Sequence, residues 1–460
     1  MRILCICGML VTGLSITACS QHPLFDTSSL SENVPATSNQ AIKTESSSVR
    51  TSALISNIPT VTGTVTLKQA LDLGLLHDPS LHVQRLHKEA LQARAQQAGS
   101  WSNPELEAEF ENFAGSGESS GTKILETTIS LAQTFPLGHD LAYMQQVAGH
   151  QVQLAIWDQQ AARVALLTTV TQRYVQALAS QKRLQQATHN LQLAQQVQSL
   201  TQKRVDAGVS PSVELMRAAV QIAHVNVQLK QAQRQKQAAY QQLALSWGQC
   251  DVTFDNLNGD LESLAALPSM AQLIQGIEKN PMIARWAVEI SKRQAQFQLA
   301  KAQGIPDITG RLGYRQSNDR GDQALVFGVS LPLPLFNRNQ GEQLAARLGS
   351  QSSVYEKRIA VLQLQQTLNQ AYTQLATAHD MATALRDDAL PMARKTFEMT
   401  RQTYQRGDVK FIDVIDAEQI LNQLQTQYLD ALTQYHEAVA WIEGLICQPI
   451  SALSSESPAI

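Results

Sequence analysis

Residues 105–111 read Glu105-Leu106-Glu107-Ala108-Glu109-Phe110-Glu111, four carboxylates interleaved with three apolar side chains. Strand side chains alternate between faces, so this stretch has one wet face and one lipid-compatible face. Ile124–Gln133 alternates in the same way, and the intervening Ala114-Gly115-Ser116-Gly117-Glu118-Ser119-Ser120-Gly121 is a loop, which completes a β-hairpin signature. A second hairpin follows at Ile308–Arg315 and Ala324–Leu331, joined by Ser317-Asn318-Asp319-Arg320-Gly321-Asp322. Leu125, Ile129 and Leu131, then Ile308, Leu312 and Tyr314, then Leu325, Phe327, Val329 and Leu331 mark the apolar sides. Glu126, Arg311 and Arg315 fall on the opposite side. Each strand has roughly the 9–11 residues that a tilted membrane-spanning strand needs. A half-buried soluble sheet gives the same alternation, but the chain has no further apolar segment to cover four strands. Four strands cannot close a barrel and lipid does not tolerate open edges. Several copies are therefore expected to contribute to one barrel.

Helical tracts flank these hairpins. Leu67 to near Ser100 predicts a helix of roughly 35 residues, stopped by Asn103-Pro104 because proline removes a donor and restricts its predecessor. After Pro136-Leu137-Gly138, a tract without proline runs to Val205, with Gly149 its one glycine. Its length, about 67 residues or 100 Å, is foreign to ordinary globular domains. Leu184 and Leu191, Leu193 and Leu200, and Ala187 and Ala194 recur at seven-residue spacing, giving two apolar seams and so neighbours on both sides. Ala207-Gly208 caps this helix, Ser210-Pro211 opens a returning one, and the return runs to about Trp247.

The whole pattern then recurs with a register of about 200 residues. The capping box Thr66/Gln69 is echoed by Ser269/Gln272, Asp78-Pro79 by Asn280-Pro281, Asn103-Pro104 by Ile305-Pro306, and Gly208 by Gly407. The second copy predicts a Leu273–Gln303 helix, a descending helix from Gly341 to about Gln405, a tip at Arg406-Gly407-Asp408 and a return ending near Leu445. Pro391 should kink the descending helix; the first repeat has no matching proline. Repeat 1 is assigned to 64–262 and repeat 2 to 263–448, giving an all-α fold with a membrane β-barrel portion.

The ends differ from this body. Met1-Arg2, an apolar stretch from Ile3 to Ile16 and Thr17-Ala18-Cys19 have the form of a signal at 1–18. Small residues before a cysteine resemble the lipobox of bacterial lipoproteins, which would make Cys19 an acylated N-terminus; ordinary A-x-A-like cleavage is the other reading. Ser20, where an inner-membrane signal would place aspartate, favours the outer membrane. Residues 19–63 are read as a Ser/Thr/Asn-rich tether and 449–460 as a disordered tail. Cys250 and Cys447 occupy corresponding places in the two repeats and are read as two separate thiols before a disulfide. The net charge of −3 with 16% charged residues gives no sign of a nucleic-acid partner. No cofactor, nucleophile–base pair or metal-ligand spacing stands out, which argues against an enzyme.

The duplicated helix–hairpin–helix units, the tips and the exported start resemble the TolC-type outer membrane efflux proteins over roughly residues 64 to 448. The run Leu331-Pro332-Leu333-Pro334-Leu335-Phe336-Asn337-Arg338-Asn339-Gln340-Gly341 resembles the strand-to-helix turn of the CzcC-like, cobalt–zinc–cadmium branch. That resemblance implies a homotrimer with a twelve-stranded barrel and a twelve-helix periplasmic tunnel. It also implies a periplasmic adaptor and an inner-membrane pump of the resistance–nodulation–division (RND) class as partners. The chain would then be the lipid-anchored exit duct, in outer membrane lipid and extending into the periplasm, for heavy-metal cations. Drugs or small organic molecules are the alternative cargo, and a periplasmic adaptor or coiled-coil lipoprotein is a remote alternative identity.

By the same resemblance, Asp413 and Asp416, three apart on one helix face, match positions that form acidic rings at the periplasmic entrance. Acids at a helix N-terminus also act as plain caps. In the first tip Glu214 matches Asp413 and Arg217 matches Asp416, which suggests an Arg217–Asp416 latch between hairpins. Gly208 and Gly407 would lie where the adaptor docks, or serve only as turn glycines. Glu105, Glu107, Glu109, Glu111 and Glu126 are expected to line the lumen, opposed by Arg311 and Arg315 and partly spent in cross-strand ion pairs. Trp101 is either an interfacial aromatic or a core residue.

Overall fold

A computed structural model describes residues 61–117 and 120–450. The expected signal, Cys19 with most of the tether, and residues 451–460 lie outside the described residues. Ile450, assigned above to the tail, is instead buried and donates its N–H to Glu443 Oε1 at 2.9 Å.

Each predicted helix before a hairpin is two helices. α1 (Leu67–His77) and α2 (Pro79–Ala98) break at Asp78, whose carboxylate caps α2 by accepting from Ser80 and Leu81 N–H. The residue before proline is driven out of the helical region, and Asp78 sits at φ −64°, ψ 121°. The second repeat repeats the device: α5 (Met270–Ile277) and α6 (Pro281–Ala302) flank Asn280, which caps α6 through Met282 N–H. Both predicted capping boxes, at Thr66/Gln69 and Ser269/Gln272, are formed.

The strands are β2 (Glu105–Glu111), β3 (Glu126–Phe135), β5 (Ile308–Ser317) and β6 (Gln323–Ser330), antiparallel in the order β2-β3-β5-β6. A smaller sheet went unforeseen: β1 (Gly63–Thr66) pairs parallel with β4 (Phe254–Asn258). The Tyr174 hydroxyl ties that pair to the long helix by donating to the Val65 and Asn258 carbonyls at 3.0 and 2.6 Å.

The first descending tract is one unbroken helix, α3 (Asp140–Asp206, 67 residues), returning as α4 (Ser212–Ala244) and a short 3-10 turn to Trp247. The second runs as α7 (Gln340–Ala384), a π-helical stretch at Leu385–Ala389, and α8 (Leu390–Arg406), returning as α9 (Phe411–Ile446). The π turn lies immediately before Pro391, where a missing N–H and the ring's clash with the preceding turn forbid regular bonding. The two descending helices also start alike, at left-handed His139 (φ 58°) and Asn339 (φ 59°). Just before His139, Gly138 is obligatory: a Cβ there would stand 2.3 Å from the Ala302 carbonyl oxygen.

Near the strands the helices lie in the order α2-α3-α6-α7, the same order as the strands that follow or precede them. Towards the tips, α3 is flanked by α4 and α9, and α9 in turn by α8. The long helix thus packs on both sides, as its two seams require. Its buried face is rich in alanine (Ala155, Ala177, Ala179, Ala194), which permits close backbone approach. Among the described residues no helix is long and apolar enough to cross a membrane.

Candidate functional site

The four-stranded sheet separates its faces as the alternation demands. Leu106, Leu131, Leu312 and Phe327 form one row across it, and Ala108, Ile129, Tyr314 and Leu325 the next. Nothing among the described residues covers these rows; Leu106, Phe327 and Leu325 are 77%, 74% and 82% exposed. The outer edges of β2 and β6 have no pairing strand among the described residues. Trp101, beside the start of β2, is 60% exposed and meets Phe135 edge-to-face at 5.9 Å, so it is not a core residue.

On the opposite face Arg311 pairs with Glu107 at 2.7 Å. Arg315 reaches Glu111 and Glu126, each at 3.2 Å, and donates Nε–H to Thr128 Oγ1. Glu105 and Glu109 make no ion pair among the described residues, although each lies in the same cross-strand row as an arginine. Two guanidiniums against five carboxylates leave an excess of negative charge on this face. Exposed pairs of this kind contribute only about 0–1 kcal/mol each, so their effect is on potential more than on stability.

At the other end the two helical hairpins are clasped. Gly208 (φ 73°) and Gly407 (φ 96°) make the turns in the left-handed region, which costs glycine little and other residues about 1 kcal/mol or more. Arg204, near the end of α3, donates Nη1–H to the Tyr404 carbonyl at 2.8 Å and the Gln405 carbonyl at 3.3 Å. Its Nε–H reaches Ser210 Oγ, and its guanidinium lies over the Tyr404 ring at 4.7 Å. A cation on the last carbonyls of α8 is favoured by the helix dipole. From the other side, the buried Tyr404 hydroxyl donates to Glu214 Oε2 at 2.9 Å. Tyr404 of the second hairpin is therefore gripped by α3 and α4 of the first.

The predicted gate residues separate on this frame. Asp413 and Asp416 are both exposed on one face of α9, and Asp413 also caps the helix by accepting from Lys410 N–H at 2.9 Å. Glu214, expected to match Asp413, is half-buried and engaged with Tyr404. Arg217 is exposed, as is Asp416, and no ion pair joins the two among the described residues. Nothing local in the sequence marks Arg204 and Tyr404, because their roles exist only once two hairpins about 200 residues apart are side by side. Cys250 and Cys447 are separate exposed thiols.

Two long helical hairpins, each carrying a β-hairpin, are the fold of TolC-like outer membrane channels. The chain belongs to the outer membrane efflux protein family, whose model matches residues 70–249 and 274–446, one block in each repeat. It is 26% identical to the cobalt-zinc-cadmium resistance protein CzcC of Cupriavidus metallidurans, over 84% of this chain and 90% of that protein. It is 25% identical to the pyoverdine export outer membrane protein OpmQ of Pseudomonas putida, over 63% of each chain. Among solved structures, CusC superposes with a TM-score of 0.72 over 84% of this chain and 93% of its own, at 19% identity. The chain is thus an outer membrane efflux channel homologous to heavy-metal efflux proteins.

Proposed function

We propose that three copies close head to tail into one duct for heavy-metal cations, fed by a periplasmic adaptor and an inner-membrane RND pump. One observation carries the assembly: the sheet is open at β2 and at β6, beneath an apolar face with no cover among the described residues. Joining β6 of one copy to β2 of the next removes every open edge, the condition for a sheet in lipid. The helices agree. α7, at one end of its row, exposes Leu344, Leu348, Tyr355, Ile359 and Leu362, while α2, at the other end, exposes Val83 and Leu86. Towards the tips, α4 exposes Met216, Val220 and Val227, and α8 exposes Met392 and Met399. Four strands and four helices per level become the twelve-stranded barrel and twelve-helix tunnel of a trimer.

In that ring the carboxylate-rich strand face turns inward, and Asp413 and Asp416 project from the three tips. Both give a negative potential along the path of a cation. The tips at Gly208 and Gly407 are the docking surface for the adaptor, and Cys19 carries the lipid anchor. Relatedness to CzcC over nearly its full length favours metal cargo. The alternative is a small organic molecule, favoured by the likeness to OpmQ. The deciding experiment is cellular metal content and survival of a deletion strain under zinc, cobalt, cadmium, nickel, copper and silver, beside dyes and antibiotics. Accumulation of divalent metals, reversed by the wild-type gene, supports the metal duct; unchanged metals with new drug sensitivity overturns that cargo.

A further inference from the structure

The apolar seam of α9 runs Phe411, Val414, Ile415, Leu421, and at the helical position between the last two stands Glu418. Its side chain is 1% exposed and belongs to no ion pair among the described residues. Both carboxylate oxygens are out of contact with solvent and lack an aligned hydrogen bond. This burial is complete within a single chain, so it does not depend on neighbouring copies. Glu418 follows Asp413 and Asp416 by less than two turns and adjoins the cluster of Tyr404, Phe411, Val414, Ile415 and Leu421 that holds the tip together. Above it towards the membrane, α3, α4 and α9 border a polar groove of about 480 Å³ lined largely by Gln and Asn side chains. Gln221 of α4, which lines that groove, is also the side chain that reaches Glu418.

We propose that Glu418 is a pH-sensitive seal of the periplasmic entrance: neutral, it lets α9 pack on the first hairpin; ionised, it drives that packing apart. The reasoning rests on the channel reading above. An isolated ionised carboxylate in an apolar surrounding is strongly disfavoured, and it either takes up a proton or finds water. Burial pushes the Glu418 carboxyl up to about 7 from an ordinary 4.5, and the Gln221 amide offsets this only in part. No charged side chain of α3, α4 or α8 counters it: Arg204 of α3 is held by the tip carbonyls, Arg217 and His224 of α4 are exposed, Glu214 of α4 is itself a carboxylate bonded to Tyr404, and Arg401 of α8 pairs with Glu398. Asp413 and Asp416 of α9 itself are exposed.

The direction follows. The carboxyl binds its proton more tightly when the tip is closed, so closure is fully favoured below about pH 4.5 and loses that support as pH rises through about 7. Between pH 6 and 8 the open-to-closed ratio should rise roughly tenfold per copy if opening hydrates the group.

The test is the open probability of the purified full-length channel in planar lipid bilayers at pH 6 and pH 8, for wild type and Glu418→Gln. Glutamine keeps the shape and cannot ionise. The expected result is a rise in wild-type opening towards pH 8 that is absent in Glu418→Gln, which opens less often than wild type at pH 6 and stays at that lower level throughout. A wild type indifferent to pH, or a variant that keeps the full rise, overturns the proposal while leaving the channel reading standing. Failure of the wild type to conduct at any pH would instead overturn the channel reading. Thermal melting of both proteins guards against misfolding: Glu418→Gln should melt at least as high as wild type at pH 8, and a lower melting point counts against the proposal.

Discussion

Tyr404→Phe isolates the clasp between the hairpins in one atom. The ring stays, and with it the stack under Arg204 at 4.7 Å and the contact with Phe411 at 5.9 Å. What disappears is the hydroxyl that donates to Glu214 Oε2 at 2.9 Å and lies 3.5 Å from Thr201 Oγ1. A hydrogen bond to a charged group is worth about 1.5–3 kcal/mol, and Glu214's partial exposure places this one at the lower end. About 1.5–2 kcal/mol corresponds to a 10- to 30-fold rise in the open population of each hairpin. The measurement is spontaneous opening in planar bilayers at fixed pH, with sensitivity of intact cells to a large hydrophilic antibiotic as the cellular counterpart. Glu214→Met, which keeps the length of the side chain but offers no oxygen acceptor, should give a similar increase, and the double variant should fall well short of the product of the two, since both remove one bond. Tyr404→Phe opening no more often than wild type would refute the idea that this contact holds the entrance shut.

Two further outcomes follow from the sheet. Leu325→Arg places a charge on the lipid face and should cost about 2–4 kcal/mol per copy near the bilayer midplane, read as loss of assembled channel from outer membrane fractions. The double variant Glu105→Gln/Glu109→Gln removes the two carboxylates without arginine partners and should lower the cation-to-anion permeability ratio, measured as reversal potential in a salt gradient.

How far the chain could be read depended on how local the signal was. Residues 105–111 declared both faces of their strand because period two is visible within seven residues. The tips declared themselves through Gly208 and Gly407, and the duplication multiplied every such sign. β1 and β4 left no trace, being four and five residues long and paired across about 190 residues of chain. Asp78-Pro79 lies inside one continuous apolar pattern, although the capping carboxylate and the proline together mark a boundary. The clasp of Arg204, Tyr404 and Glu214 could not be read, because it depends on the lateral order of two hairpins. Glu418 was within reach: a glutamate falling in phase with Phe411, Val414, Ile415 and Leu421 sits on the buried stripe by spacing alone.

The π-helical stretch at Leu385–Ala389 makes the two arms mechanically unlike. An unbroken helix such as α3 spreads a load along its whole length and behaves as a stiff beam. A helix with a misfit turn yields there first, since that is where regular bonding is already interrupted. Under the docking proposed above, force at the tips would be borne by the unbroken α3 and would turn α8 about the π-helical stretch. On that reading one proline would make a post and a lever of two arms otherwise alike in plan.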